Sequence, residues 1–149
     1  MSSIEAVSFV DDDGRPTVLM IDQRLLPTES VWRRYTAYEE VAQAITDMVV
    51  RGAPAIGIAA AYGIAQAMLN ASAQDPSTKT YETTLSAVCD RFAQTRPTAV
   101  NLFWAIERLR ACDGTHSSWS TTRRAQRLLQ EARTIHDEDR AACLAMGAH

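Results

Sequence analysis

Lysine is almost missing from this sequence: of its 15 Lys and Arg residues, only Lys79 is a lysine. That scarcity is read as codon bias more than chemistry, although arginine does suit phosphate and carboxylate sites. Cysteine is scarce too. Cys89, Cys112 and Cys143 are odd in number and show no CxxC spacing, which argues against a disulfide framework or a zinc ribbon. There is no excess of positive charge. A formal net charge of −3 argues against a general binder of nucleic acid or acidic membranes. The first residues lack a basic start and an apolar core of signal-peptide length, so a cytoplasmic protein is expected. The longest apolar stretch, Gly52 to Ala65, falls short of the ~20 residues a membrane span needs. Repeats and low-complexity tracts are missing as well. What is present, 149 residues with 46% apolar and 22% charged side chains, describes one folded domain large enough to bury a core without staples.

The pattern changes character near residue 36. Val7–Val10 and Thr17–Ile21 read as strands joined by the turn signal Asp11–Pro16, Leu25–Pro27 breaks the pattern, and Ser30–Tyr35 reads as a third strand. From there the period is helical. Thr36 and Glu39 are spaced as a capping box, and Tyr38, Val41, Ala42, Ile45, Met48 and Val49 share one face. Pro54 to about Asn70 is apolar all round as far as Gln66, which predicts a helix buried on every side. A polar stretch, Ala71–Thr80, precedes a third helix carrying Leu85, Val88, Cys89 and Phe92. Arg96–Thr98 stops that helix and starts a fourth, with Ala99, Leu102, Phe103, Ile106 and Leu109 on its apolar face. Asp113–Ser118 reads as a loop, and a long amphipathic helix follows from Thr121, with a bend expected near Asp137–Asp139. The fold class is therefore α+β: residues 1–36 form a small antiparallel β-meander, and 37–149 a bundle of about five helices.

Two stretches carry chemistry. In Arg51–Gly57, Arg51 is read as ending one helix, Gly52 as the left-handed stop, and Pro54 as sitting in the first turn of the next helix. Small residues around the open amides leave room for a ligand, and a guanidinium beside a helix N-terminus makes an anion site. Thr95–Asn101 repeats the pattern, with Arg96 beside a proline-started helix. The expectation is that both starts converge on one phosphate. Taken alone, each arginine is more simply read as satisfying carbonyls or a surface carboxylate.

Other candidates are weaker. His136, Cys143 and His149 do not assure the three or four convergent ligands that zinc needs, so no metal is expected. Cys89 reads as a buried small hydrophobe, Trp104 as core, and Asp137–Asp139 as a solvated patch.

The strings Leu19–Pro27, Ala44–Gly63 and Thr95–Leu102 resemble the N-terminal region of the S-methyl-5-thioribose-1-phosphate isomerase family. That family lies in the superfamily that includes the regulatory subunits of translation initiation factor 2B. The likeness runs from about Val18 onward, and Val50–Gly57 is its most specific part. It implies an aldose–ketose isomerase of methionine salvage, acting on 5-methylthioribose 1-phosphate without metal or organic cofactor. It implies that Arg51, Gly52, Ala53 and Arg96 bind substrate, and that the complete enzyme is a homo-oligomer. It also implies a following Rossmann-like domain, with a catalytic cysteine in a Thr-His-Cys-Asn motif and an aspartate further on. Neither motif occurs in this sequence, so no catalytic role passes to Cys89, Cys112 or Cys143. The expectation is a substrate-binding N-terminal part that depends on a second domain or polypeptide and is inactive alone. Two alternatives stay open: a regulatory or assembly module of the translation-factor branch, and part of a ribose-1,5-bisphosphate isomerase.

Overall fold

The computed structural model describes residues 6–147. Strands β1 (Val7–Asp12), β2 (Arg15–Ile21) and β3 (Trp32–Tyr35) form an antiparallel sheet in that order. The hairpin is tighter than the sequence signal suggested. Asp12 pairs with Arg15, leaving a two-residue turn of Asp13 and Gly14, both at positive φ (59° and 82°). This is the conformation that matches strand twist, and the Asp-Gly pair supplies it. Pro16 lies on the central strand but outside the β2–β3 register, which begins at Val18 and Tyr35, so its missing N–H breaks no bond on that side.

Five helices follow: α1 (Tyr38–Thr46), α2 (Ala53–Gln74), α3 (Thr78–Ala93), α4 (Val100–Thr115) and α5 (Thr121–Gly147). The α+β reading with its N-terminal meander holds. The axis of the assembly is α2, buried almost continuously from Ile56 to Met68. All four other helices and strands β1 and β2 pack on it. At 22 residues α2 is long and apolar enough to cross a membrane by length and composition, beyond what its apolar run indicated; in this fold it is a core helix, with 78% of its most apolar window buried. Its one buried amide, Gln66, donates to the carbonyls of Pro16 (3.1 Å) and Tyr35 (2.7 Å), tying the sheet to the helix. Phe9 of β1 stacks on Tyr62 of α2 at 5.5 Å. Gly63 marks the closest approach: a Cβ there would lie 2.4 Å from the Phe92 ring and 3.0 Å from Val41.

Several boundaries differ from the sequence reading. The N-cap of α1 is Ala37, and the carboxylate that satisfies its open amides belongs to Glu40, not Glu39; it accepts from the Thr36 and Ala37 N–H groups at 3.2 and 3.3 Å. Helix α1 stops at Thr46, so Arg51 does not end it. The left-handed residue after that stop is Met48 (φ 64°). Val49 N–H donates to Ala44 and Met48 N–H to Ile45, the paired bonds of a Schellman motif. Pro97 does not open α4. It sits in a turn closed by Ala99 N–H on the Arg96 carbonyl (2.9 Å), and the helix begins at Val100. Asp113 and Gly114 belong to α4 rather than to a loop. Helix α5 runs unbroken through Asp137–Asp139. That acidic run is not simply solvated either. Glu138 takes both terminal nitrogens of Arg108 at 2.7 Å, and Glu131 takes Nε, which locks α4 to α5. Trp104 is not core: it is half exposed, with the Arg108 guanidinium 5.3 Å from its ring centre.

At the far end of the bundle, Arg124 and Asp113 form a buried pair. The Tyr81 hydroxyl donates to the same carboxylate at 2.9 Å, and burial pushes the Tyr81 phenol well above its usual range. This network joins α3, α4 and α5.

Two substitutions should move stability in opposite directions. Gly63→Ala forces a methyl against Phe92 and Val41 and should cost about 1–3 kcal/mol by overpacking. Met48→Gly relieves the left-handed backbone at an exposed side chain and should gain up to about 1 kcal/mol. Urea unfolding of the two variants beside the parent checks both.

Candidate functional site

The start of α2 leaves backbone amides open beside an arginine. Gly52 is its N-cap, held at φ 91°, a region that disfavours any side chain. The first intrahelical bond runs from Ile56 N–H to the Gly52 carbonyl. Pro54 has no N–H to lose, and no side chain caps the helix. The Ala53 and Ala55 amides are therefore left open at the positive end of the dipole of a 22-residue helix. Arg51, immediately before, is exposed, and among the described residues its guanidinium makes no ion pair or hydrogen bond.

This helix start opens onto a cavity of about 410 Å³, within the size range of small-molecule sites. Arg51, Gly52 and Pro54 form one side. Gln23 lines it from the 3-10 turn Gln23–Leu25 between β2 and β3. His136, Asp139, Arg140 and Cys143 line it from α5, and Val7, Ile58 and Leu144 add apolar surface. His136 is nearly buried, and its Nδ1 lies 2.6 Å from the Tyr62 hydroxyl. Arg140 pairs with Asp137 at 2.6 Å.

Arg96 is not brought into this cavity. The two helix starts are nonetheless neighbours, because a Cβ on Gly57 of α2 would lie 3.1 Å from the Asn101 carbonyl in the first turn of α4. A smaller cavity of about 230 Å³, lined by Pro54, Gly57, Asn101 and Trp104, lies between them. Arg96 stands in the turn ahead of α4, partly buried, and among the described residues its Nη1 has no hydrogen-bond partner.

The cysteines divide as their surroundings dictate. Cys89 is buried, and burial pushes its thiol up to about 11, so it stays protonated at neutral pH. Burial also raises Cys112. Cys143 is exposed at the cavity rim. Of the three residues considered as metal ligands, His136 is engaged with Tyr62, Cys143 lines the same cavity from the same helix, and His149 falls outside the described residues. Among the described residues no group of three His, Cys, Asp or Glu side chains is placed to hold a metal ion.

Sequence reasoning missed Asp22. This fully buried aspartate accepts from the Arg24 backbone N–H (3.0 Å), from Arg24 Nε and Nη2 (2.9 and 2.7 Å) and from Arg33 Nε (3.2 Å). It shapes the turn that carries Gln23 to the cavity. The available signal was an aspartate closing an apolar strand two residues before an arginine. The Arg24 side-chain bonds hold the Asp22 carboxyl well below the usual carboxylate range, against the opposing effect of burial. A depressed folded-state value contributes stability that is complete above the unfolded value of about 3.9 and fades as pH falls through the folded one. Asp22→Asn should therefore cost about 1–3 kcal/mol above pH 5. The difference from the parent should shrink toward pH 2, as followed by urea unfolding across that range.

Comparison with known proteins places this site in a family context. A model of the initiation factor 2 subunit family, IF-2B, matches residues 49–149. The methylthioribose-1-phosphate isomerase of Syntrophotalea carbinolica is 46% identical over 150 residues, covering 99% of this chain and 41% of that protein. The enzyme of the same name from a Geobacter strain is 47% identical over 132 residues, covering 89% of this chain and 38% of that protein. Among solved structures, 5-methylthioribose 1-phosphate isomerase from Pyrococcus horikoshii superposes with a TM-score of 0.82 at 38% identity, over 89% of this chain and 36% of that one. The delta subunit of translation initiation factor eIF-2B from A. fulgidus superposes at 0.77 with 33% identity, over 92% and 38%. The chain thus spans about two fifths of the length of the relatives it matches. By the match over two thirds of its residues, this chain belongs to the initiation factor 2 subunit family.

Proposed function

We infer that this chain is the N-terminal, phosphate-binding part of a methylthioribose-1-phosphate isomerase. The observation that carries this reading is the Arg51 guanidinium, unpaired among the described residues, beside the open amides of α2 at the mouth of a ligand-sized cavity. The relatives that match nearly the whole chain bear that enzyme's name. In this reading Arg51 and the Gly52 and Ala53 backbone hold the phosphoryl group of 5-methylthioribose 1-phosphate. Arg96, a turn away at the start of α4, supplies a second guanidinium once its side chain swings toward the ligand. The isomerisation is redox-neutral within the sugar: the bond from C1 to the ring oxygen breaks, the C2 hydrogen passes to C1, and the C2 hydroxyl becomes a carbonyl as its proton passes to the freed ring oxygen. These residues supply binding and orientation, and positioning of this kind can contribute ~7–11 kcal/mol. The acid–base groups for the hydrogen transfer belong to the part of the family's sequence outside these residues. A cytoplasmic location and a homo-oligomeric complete enzyme go with the same reading.

The likeness to the A. fulgidus translation-factor subunit favours a second reading, a non-catalytic assembly module. Thermal unfolding separates the two. At a hundredfold excess over its dissociation constant, 5-methylthioribose 1-phosphate should raise Tm by roughly 5–10 °C. Arg51→Ala should remove the shift and Arg96→Ala should reduce it. No shift in the parent chain favours the assembly module.

A further inference from the structure

The Gln23 turn is fixed more firmly than a surface connection requires, and it ends at the cavity. Three kinds of bond hold it. The Asp22 N–H donates to the Val31 carbonyl at 2.8 Å, and the Gln23 N–H donates to the Val49 carbonyl at 2.8 Å. The Asp22 carboxylate, itself out of contact with solvent, gathers Arg24 and Arg33 away from the cavity lining. Val49 lies two residues before Arg51, so the second bond couples the turn directly to the segment that presents the guanidinium. Gln23 is the turn residue that reaches the cavity wall, and among the described residues its side-chain amide makes no hydrogen bond.

A primary amide carried on a fixed turn beside an anion anchor has a defined chemistry. It donates through nitrogen and accepts through oxygen, and a hydroxyl needs both partners at once. A second phosphate would be served better by a cation, and the turn's own arginines are committed to Asp22. We propose that Gln23 recognises a hydroxyl of a polyhydroxy phosphate ester whose phosphoryl group sits at Arg51, and so separates sugar phosphates from phosphate itself. This rests on the reading of Arg51 as the phosphate anchor. The cavity, at about 410 Å³, has room for both parts of such a ligand.

Calorimetric titration of the full chain with ribose 1-phosphate and, separately, with inorganic phosphate tests this. The parent should bind the sugar phosphate more tightly. Gln23→Met, which keeps the length of the side chain and loses the amide, should weaken ribose 1-phosphate about 3- to 10-fold and leave inorganic phosphate unchanged within about twofold. Gln23→Ala should do the same, and a thermal unfolding curve like the parent's shows that both variants fold. Arg51→Ala should weaken both ligands. Equal affinities for ribose 1-phosphate in the parent and both Gln23 variants would overturn the role of Gln23 and leave the anchor standing. Indifference of both ligands to Arg51→Ala, or no binding by the parent, would overturn the anchor and with it this inference.

Discussion

A helix with no polar face cannot rest against water on any side, and α2 is such a helix. From Ile56 to Met68 its side chains are buried, and the sheet and four helices are what bury them. The two glycines in that stretch, Gly57 and Gly63, show how closely the neighbours come: α4 backbone against one, the Phe92 ring and Val41 against the other. Close packing of this kind fixes the position of α2 within the domain. It therefore fixes the position of its N-terminal amides, which are the chemical business end of the helix. Rigidity in the core and precision at the cavity are the same property seen from two ends of one element.

Charge is arranged so that the cavity side stays available. Most arginines whose contacts can be traced are committed internally: Arg24 and Arg33 to Asp22, Arg108 to Glu131 and Glu138, Arg124 to Asp113 and Glu82. The Arg108 pairs and the Arg124–Asp113 pair join α4 to α5. Arg51 takes no part in them. The arginine-rich composition thus has a use beyond codon preference, since the planar fork bridges two acidic residues at once, as Arg108 does.

Much of this was legible beforehand, where the signal was local. Asp13-Gly14 announces a hairpin, an apolar run without polar interruption announces a buried helix, and Gly52 with Pro54 announces a helix start. Long-range choices were not legible. A methionine in the left-handed stop of α1 carries no local sign, so the stop was assigned to Gly52, the nearest glycine. Pro97 suits a turn as well as a first helical turn, and the Ala99 bond to the Arg96 carbonyl selected the turn. Trp104 sits at a helical spacing compatible with core, yet Arg108 keeps it at the surface. Asp22 was overlooked because its importance comes partly from Arg33, eleven positions away and on another strand. The pattern leads to the expectation that both helix starts converge on one phosphate; the starts are neighbours, but Arg96 does not line the Arg51 cavity, because side-chain placement is not encoded in spacing.

Because the Arg51 side chain is tied to nothing inside the described fold, the proposed duty of Arg51 and the fold's integrity are uncoupled. Among the described residues, replacing it leaves no orphaned carboxylate behind. A survey that scored mutations by protein level alone is expected to pass over substitutions at Arg51, because none of its side-chain contacts within the described residues holds the fold together. Asp22 and Gly63 would stand out in that survey instead, since their loss is felt by folding first.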